Sequence, residues 1–231
     1  LAQAFATAEV RPKRSIVFAA FSAEEHGLLG SKILLEKKLN ADNLVFMLNL
    51  DMVGRNADKP LSIIGEGFAT DVKEIVEQSN QQHALNLEYA GTQYFGASDH
   101  HYFYKAYIPF LFFFSGLHDD YHQPTDTQEK LDYERMNKIA RLSYDVVHYI
   151  ANAKTVPLFV KPISWMGSSL RVTEKAAVVH NVRLRSQADR LGLEEGDILL
   201  SIDEQRSSPK QWLSTLEELE VAKEYTLRIQ R

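Results

Sequence analysis

The sequence contains no cysteine, no long apolar segment and no concentration of positive charge. The lack of cysteine excludes disulfide bonds, thiolate zinc sites and a cysteine nucleophile. No apolar run approaches the ~18 residues that a membrane-spanning helix needs. The net charge is −5, and the densest basic cluster, at residues 11–14, has only three charges, so nothing in the sequence resembles the basic stripe that is typical of nucleic-acid-binding proteins.

Apolar residues make up 45% of the chain and charged residues 25%, a composition typical of globular proteins with a sizeable core. The 231 residues have room for one large domain or two smaller ones. No signal peptide is visible. Residues 1–6 instead have the pattern of the end of an amphipathic helix, so we expect the chain to begin inside a domain.

The first 152 residues alternate apolar segments with amphipathic ones, which predicts an α/β domain. Continuous apolar runs predict buried strands at residues 15–21, 43–50 and 108–114, and shorter strands at 61–64 and 87–90. Helical patterns occupy residues 1–8, the segment after Glu25 to about residue 38, 71–84, the segment from Ser98 onward, and 133–152. We therefore expect a mostly parallel mixed sheet flanked by helices, with a ligand site beyond the carboxyl ends of its strands.

The pattern changes after residue 152. Residues 153–162 contain two prolines and predict a linker. Residues 163–231 predict a small β-rich domain. Its expected strands are at 169–172, 177–182, 197–202 and 225–230, and its expected helices are near 186–191 and 209–219.

Acidic and imidazole side chains follow three of the predicted buried strands. Glu24 and Glu25 come directly after residues 15–21, and Asp51 comes directly after residues 43–50. A tract with two histidines, three aspartates and a tyrosine, residues 116–127, follows the third strand. Each of the first two features alone is common at a turn or a helix start. Together they place carboxylate and imidazole groups, which suit zinc, at one edge of a sheet.

Four segments of the chain resemble the M28 family of zinc aminopeptidases in their order and separation. They are FAAFSAEEHGLLGS (18–31), NLDMVGR (49–55), SDH (98–100) and FFFSGLHDDYHQPTDT (112–127). The resemblance extends over residues 1 to about 150. It implies a zinc-exopeptidase-like α/β fold, two zinc ions, and hydrolysis of amino-terminal residues from peptide substrates.

The resemblance also implies roles for individual residues. Glu24 matches the general base, and three residues match zinc ligands: Glu25, Asp51 and His122. The SDH segment implies substrate-binding positions at Asp99 and His100.

The family has two further ligands, a histidine and a bridging aspartate, before the Glu-Glu motif. None of the 14 residues before Ser15 is a histidine or an aspartate. We therefore expect the catalytic domain to be incomplete at its amino terminus, and this chain alone to be inactive or weakly metal-binding.

The carboxy-terminal region resembles a PDZ domain of the kind associated with bacterial proteases, most clearly over residues 186–203, SQADRLGLEEGDILLSID. The resemblance implies a carboxylate-binding loop at Trp165–Ser169 and a groove helix at 209–219, which would bind a peptide or a protein C-terminus by strand addition. A β domain that only packs on the peptidase is the alternative. The PDZ resemblance and the absence of cysteine favour a periplasmic or exported protein.

Two other functions fit the same segments. A glutaminyl cyclase-like enzyme would use a similar fold with one zinc ion. A non-catalytic peptide-binding protein would combine a degenerate peptidase domain with a working PDZ groove. The Tyr-His-Gln-Pro-Thr-Asp context of residues 121–126 and the PDZ-like partner favour the peptidase.

Overall fold

The computed structural model describes residues 1–91, 94, 96–165, 168–172, 177–182, 184–203 and 226–231. The chain forms two compact units, Leu1–Pro157 and Leu158–Arg231, each containing one sheet. No helix among the described residues has both the length and the apolar character needed to cross a membrane.

The first unit is built from alternating helices and strands. Its helices are α1 (Ala2–Ala6), α2 (Leu29–Lys37), α3 (Val72–Asn80), α4 (His100–Lys105) and α5 (Tyr133–Asn152). Its strands are β1 (Met47–Leu50), β2 (Leu61–Ile64), β3 (Leu87–Gly91) and β4 (Phe110–Phe114). Short 3-10 turns lie at Ala41–Asn43, Glu66–Phe68 and Gln128–Lys130.

The sheet of the first unit has the order β1-β4-β2-β3. β1 is parallel to β4, β2 is parallel to β3, and β2 is antiparallel to β4. The prediction of a mostly parallel mixed sheet flanked by helices is confirmed. Because β2 runs opposite to β4, the start of β2 lies at the same edge of the sheet as the ends of β1 and β4.

Both faces of the sheet are covered, and β2 and β4 are buried along their whole length. One face packs on α3 and α5 through a cluster that includes Leu61, Ile63, Leu111, Phe113, Val76, Ile139, Leu142 and Val146. On the other face Ile64, Phe112 and Phe114 pack together with Met52 and Tyr94. Burial on both faces explains why β4 is a continuous apolar run instead of an alternating one.

Helix α5 is secured at both ends. At its start, the Asp132 carboxylate accepts a hydrogen bond from the backbone N–H of Arg135 at 2.9 Å, which is an N-cap. At its end, Arg14 Nη1 donates to the carbonyl oxygens of Ile150, Ala151 and Ala153 at 3.2, 3.3 and 2.8 Å. A cation at this position satisfies carbonyls that the helix leaves unpaired and complements the helix dipole.

The predicted buried strand at residues 15–21 is wrong. The segment is extended, but it forms no ladder with any described strand, and Val17 and Phe18 remain 58% and 49% exposed. An apolar run becomes a buried strand only where its backbone groups find a neighbouring strand, and β1 pairs with β4 alone in the part of the chain that is described. The predicted strand at 43–50 is shorter. β1 begins at Met47, and Asn43 is the last residue of a 3-10 turn capped by Asn40.

The second unit is an antiparallel sheet with one short helix among its described residues. Its elements are β5 (Val160–Trp165), β6 (Ser168–Val172), β7 (Ala177–Val182), α6 (Gln187–Arg190), β8 (Ile198–Ile202) and β9 (Leu227–Gln230), and the strands pair in sequential order. The four predicted strands are present with small shifts in their bounds. β5 begins inside the segment predicted to be a linker. The predicted helix at 209–219 and part of the predicted loop at 165–169 lie outside the described residues.

We expect Leu142→Ala to destabilise the first unit by about 2–5 kcal/mol, because it removes a fully buried side chain from the α5–sheet contact. Arg141→Ala, the adjacent exposed position on the same helix, is the control and should change stability by less than about 0.5 kcal/mol. Urea denaturation followed by far-UV circular dichroism measures both. Equal unfolding midpoints for the two variants would contradict this account of the core.

Candidate active site

The segment from Ser22 to Gly30 carries the two adjacent glutamates and folds back onto the start of α2. The amide of Leu28 donates to the carbonyl of Glu24 at 2.8 Å, and the amide of Gly30 donates to the carbonyl of Ser22 at 3.0 Å. A Cβ atom at Gly30 would overlap the Ser22 carbonyl oxygen and lie 2.7 Å from the Ser22 nitrogen. Glycine at position 30 therefore permits the close backbone approach that fixes the turn around Glu24 and Glu25.

Asp51 extends the β1–β4 ladder by one residue and is oriented by buried side chains. Its amide donates to the carbonyl of Phe113 at 3.3 Å. Its Oδ2 accepts a hydrogen bond from Ser98 Oγ at 2.8 Å, and Ser98 Oγ accepts one from Asn49 Nδ2 at 2.7 Å. This chain of hydrogen bonds joins the NLD and SDH segments, which lie about fifty residues apart in the sequence.

His122 lies in the loop that follows β4, in contact with Glu25. Its Nε2 is 2.5 Å from Glu25 Oε1, although 97 residues separate the two. The ring of Tyr121 stacks on the His122 ring with centroids 3.8 Å apart. The side chains of His122 and Glu25 remain 52% and 62% exposed, so an ion can reach both.

The loop that carries His122 is shaped by an ion-pair network. Arg55 pairs with Asp120 through Nη2 at 2.7 Å and also pairs with Asp126. Lys130 and Thr125 donate to Asp120 at 2.6 and 2.7 Å. These hydrogen bonds, the one from Arg55 above all, hold the pKa of Asp120 well below its usual range.

Two further contacts attach the beginning of this loop to the segment after β1. Asn56 Nδ2 donates to the carbonyl oxygens of Ser115, Gly116 and Leu117 at 2.9–3.1 Å. The hydroxyl of Ser115 donates to the carbonyl of Met52. The NLDMVGR segment and the residue after it therefore supply Asp51 and also hold the loop that supplies His122.

Two groups of acidic and histidine side chains could offer ligand atoms to a metal ion, and they differ in how close those atoms lie to one another. Among the described residues, His118, Asp120 and Asp126 form a trio whose ligand atoms all lie within 4.8 Å of one another. Both of its carboxylates already pair with Arg55, so we interpret the trio as part of the ion-pair network. Glu25, Asp51 and His122 do not converge to that degree in the described structure, although Glu25 and His122 touch.

Glu24 lies among like charges. Burial raises the pKa of Glu24. The negative charges of Glu25, Asp51 and Asp99 raise this pKa further, and His122 lowers it. These residues therefore share one electrostatic neighbourhood, although the segment before Glu24 is not a strand of the sheet. A carboxylate with a raised pKa binds a proton more readily, which suits a general base.

Asp99 and His100 differ in how far they reach the site. Asp99 is 6% exposed, and its Oδ1 has no hydrogen-bond partner among the described residues. Burial raises the pKa of Asp99, a hydrogen bond from Ser31 lowers it, and the charge of Asp51 raises it further. His100 is fully buried between the rings of Phe110 and Phe112, with centroids 5.0 and 4.7 Å away. Burial lowers the His100 pKa to about 4, so its ring is neutral. The structure brings Asp99 close to Glu24 and Asp51, whereas the His100 ring is enclosed by Phe110 and Phe112 of β4.

Sequence reasoning overlooked the residues that hold the site together. Ser98 and Asn49 orient Asp51, and Arg55 and Asn56 hold the loop. Asn49, Arg55 and Ser98 lie inside the segments that resemble the family, and this position was the one sign in the sequence that they belong to the site. Tyr121, the tyrosine of the 116–127 tract, had been given no role of its own; burial raises its pKa, as do the nearby Glu25, Glu24 and Asp51.

The donor set fits zinc. Zinc takes imidazole nitrogen and carboxylate oxygen ligands. Here the exposed imidazole of His122 touches the exposed carboxylate of Glu25. The charges of Glu25, Asp51 and His122 all act on Glu24.

We expect Gly30→Ala to lower the free energy of unfolding of the first unit by about 1–3 kcal/mol, because the added methyl group collides with backbone atoms of Ser22. Gly67→Ala is the matched control, since a Cβ there meets no atom within 4 Å. Chemical denaturation of both variants makes the comparison. A Gly30→Ala protein as stable as the Gly67→Ala protein would show that the close approach does not constrain the turn.

Comparison with known proteins places these features in a family. The model of peptidase family M28 matches residues 1–147. A probable zinc metalloprotease of Pyrenophora tritici-repentis is 52% identical over 50 residues, which are 21% of this chain and 12% of that protein. Aminopeptidase YwaD of Bacillus subtilis is 29% identical over 159 residues, covering 64% of this chain and 34% of that protein.

A solved structure agrees with the sequence relatives. The zinc aminopeptidase BSAP from Bacillus subtilis superposes with a TM-score of 0.51 at 28% identity, over 59% of this chain and 36% of that one. The chain thus spans between about a tenth and about a third of the length of these proteins. Because the family model covers most of the chain and every segment of the candidate site, the chain belongs to peptidase family M28, the family of these zinc aminopeptidases.

Proposed function

We propose that the protein containing these residues is a zinc-dependent aminopeptidase that hydrolyses amino-terminal residues from peptides. The contact between Glu25 and His122 carries the proposal. It joins two of the matched segments at the edge of the sheet where Asp51 also lies. The names of the related aminopeptidases support the same activity.

Glu25, Asp51 and His122 are the zinc ligands in this proposal. The contact between Glu25 and His122 and the separate anchoring of Asp51 by Ser98 fit two ions that do not share all three side chains. The remaining ligands, a histidine and a bridging aspartate, would come from outside residues 1–231. Zinc bound here would lower the pKa of a water molecule and polarise the scissile carbonyl.

Glu24 is the general base. Its carboxylate accepts the proton of the attacking water and passes it to the leaving amine. Burial and three neighbouring carboxylates increase its affinity for that proton. The ion-pair network of Arg55 keeps the loop of His122 in place during the reaction.

Asp99 and His100 form the substrate-binding segment. Asp99 offers a buried carboxylate oxygen without a partner in the described structure, which suits the amino group of a peptide. His100, the first residue of α4, attaches this segment to β4 through its packing between two phenylalanine rings.

The second unit, in our proposal, is a PDZ-like domain that binds a peptide or a protein C-terminus. An antiparallel sheet with a tight turn before β8 supports this role. In that turn Gly196 has a φ of +96°, and the buried Asp197 accepts hydrogen bonds from the amide of Glu194 at 2.9 Å and from Arg231 Nε at 3.1 Å. We also propose a periplasmic or exported location, on the basis of the PDZ-like sequence and the absence of cysteine.

In a version of the protein extended at its amino terminus, we expect Glu24→Gln to lower kcat by about 10²–10⁴-fold while zinc content is retained, because only the base is removed. Glu36→Gln, the same change at an exposed position of α2, is the control and should keep full activity. Hydrolysis of an aminoacyl-p-nitroanilide and metal analysis give the two readouts. Full activity in Glu24→Gln would exclude Glu24 as the base.

Residues 1–231 alone should bind zinc weakly and show no measurable peptidase activity, because they supply three of the five expected ligands. The extended version should bind two zinc ions and hydrolyse the substrate. Zinc titration and the same assay on both proteins make the comparison. Full zinc-dependent activity of residues 1–231 would overturn the proposal that the other ligands lie outside them.

A further inference from the structure

Tyr121 and His122 are consecutive residues whose rings lie face to face in the loop after β4. Their centroids are 3.8 Å apart, and the ring planes differ by 23°. In an extended chain successive side chains point to opposite sides, so consecutive residues do not normally stack on each other. The contact therefore depends on the way the loop turns at this point.

The backbone of the loop brings the two rings onto one side. His122 has a φ of +58°, in the left-handed region that residues other than glycine rarely adopt. The amide of Tyr121 donates to the carbonyl of His118 at 2.9 Å, and the amide of Gln123 donates to the carbonyl of Asp120 at 2.8 Å. Two turns thus enclose the pair, and the ion pairs of the Asp120 side chain hold these turns in place.

The stack matters for His122 because few contacts in the described part of the chain fix the orientation of its imidazole. The side chain is 52% exposed, and an exposed side chain samples several rotamers. Its Nε2 also lies 2.5 Å from Glu25 Oε1, but a cation bound by both side chains would replace that hydrogen bond. The stack with Tyr121 uses the face of the imidazole and leaves both of its nitrogen atoms available.

The phenol of Tyr121 lies in the same group of charges as the candidate zinc ligands. Burial raises its pKa, and the charges of Glu25, Glu24 and Asp51 raise this pKa further. The hydroxyl is therefore uncharged at neutral pH. The ring and the hydroxyl can be tested separately, because Tyr121→Phe removes only the hydroxyl, whereas Tyr121→Leu also removes the aromatic face.

We propose that Tyr121 is a positioning residue for His122: its ring holds the imidazole in the orientation that faces Glu25, so that the imidazole is already ordered when zinc binds. Because His122 is taken to be a zinc ligand, this role rests on the proposed function. Ordering a ligand before it binds reduces the loss of side-chain entropy on binding. The stack itself needs no metal and can be measured separately.

NMR of residues 1–231 without metal tests the stack. The His122 ring lies over the face of Tyr121 and is shielded by its ring current, and His122→Gln identifies the His122 resonances by their loss. Tyr121→Leu should move these resonances downfield, whereas Tyr121→Phe should leave them shielded. Tyr149→Leu, at another exposed tyrosine, is the control and should not move them.

Unchanged His122 resonances in Tyr121→Leu would overturn the proposal. If that variant does not fold, nuclear Overhauser effects between the two rings of the unsubstituted protein decide the same question. Their presence with stacked geometry supports the proposal, and their absence overturns it.

Zinc binding by the version extended at its amino terminus tests the positioning role. We expect Tyr121→Leu to weaken zinc binding by about three- to tenfold, the size of effect that one aromatic stack produces. Tyr121→Phe should keep the affinity within about twofold of the unsubstituted protein, and Tyr149→Leu should not change it. Competition with a fluorescent zinc chelator measures all four proteins. At saturating zinc, Tyr121→Leu should recover its kcat and keep its KM, because the ring acts on His122 and not on the peptide.

The outcomes separate the ring, the hydroxyl and the function. Equal zinc affinities of Tyr121→Leu and Tyr149→Leu would overturn the positioning role. An equal loss in Tyr121→Phe would assign the effect to the hydroxyl, and a raised KM of Tyr121→Leu at saturating zinc would indicate contact with the peptide; either result overturns the proposal. Absence of zinc binding by the unsubstituted extended protein would overturn the proposed function and this role with it, even where the metal-free resonances show the stack.

Discussion

The parallel pairing of β1 with β4 is the constraint on which the candidate active site depends. Leu50 lies opposite Phe113, and the ladder continues beyond both strands through the amides of Asp51 and Ser115. The two chain segments therefore leave the sheet side by side and in the same direction. Asp51 begins one of them, and the loop that carries His122 begins in the other. A register shift of one residue would reverse the sides of the sheet to which their side chains point.

Backbone pairing alone does not hold a loop of a dozen residues in one conformation. Arg55 and Asn56, which follow Asp51, do so by binding the loop at its carbonyl oxygens and its aspartates. Arginine suits this role because its planar fork of donors can bind two carboxylates at once, as it does with Asp120 and Asp126. The same short segment thus supplies a proposed zinc ligand and fixes the position of another, which explains why NLDMVGR behaves as one structural unit.

The sequence predicted the elements whose signals are local. Helix α5 has the predicted bounds, because Asp132 caps it and its apolar residues recur with helical spacing. β4 was predicted because a strand covered on both faces is apolar throughout. The segment at residues 15–21 has the same apolar character but no pairing partner among the described strands, and composition cannot reveal whether a partner exists. His100 shows a similar limit, since only the packing of two distant phenylalanines decides that its ring is buried.

The approach of Glu25 to His122 could be predicted only through the family resemblance, because 97 residues separate them. The charges around this contact also affect the stability of the folded state. Glu24, Glu25, Asp51 and Asp99 repel one another, and His122 opposes the resulting rise in the Glu24 pKa. A divalent cation held by Glu25 and His122 would replace this repulsion with attraction. Since an ion that binds only the folded state stabilises that state, zinc binding and the folding of the segments around Glu24 and His122 should be coupled.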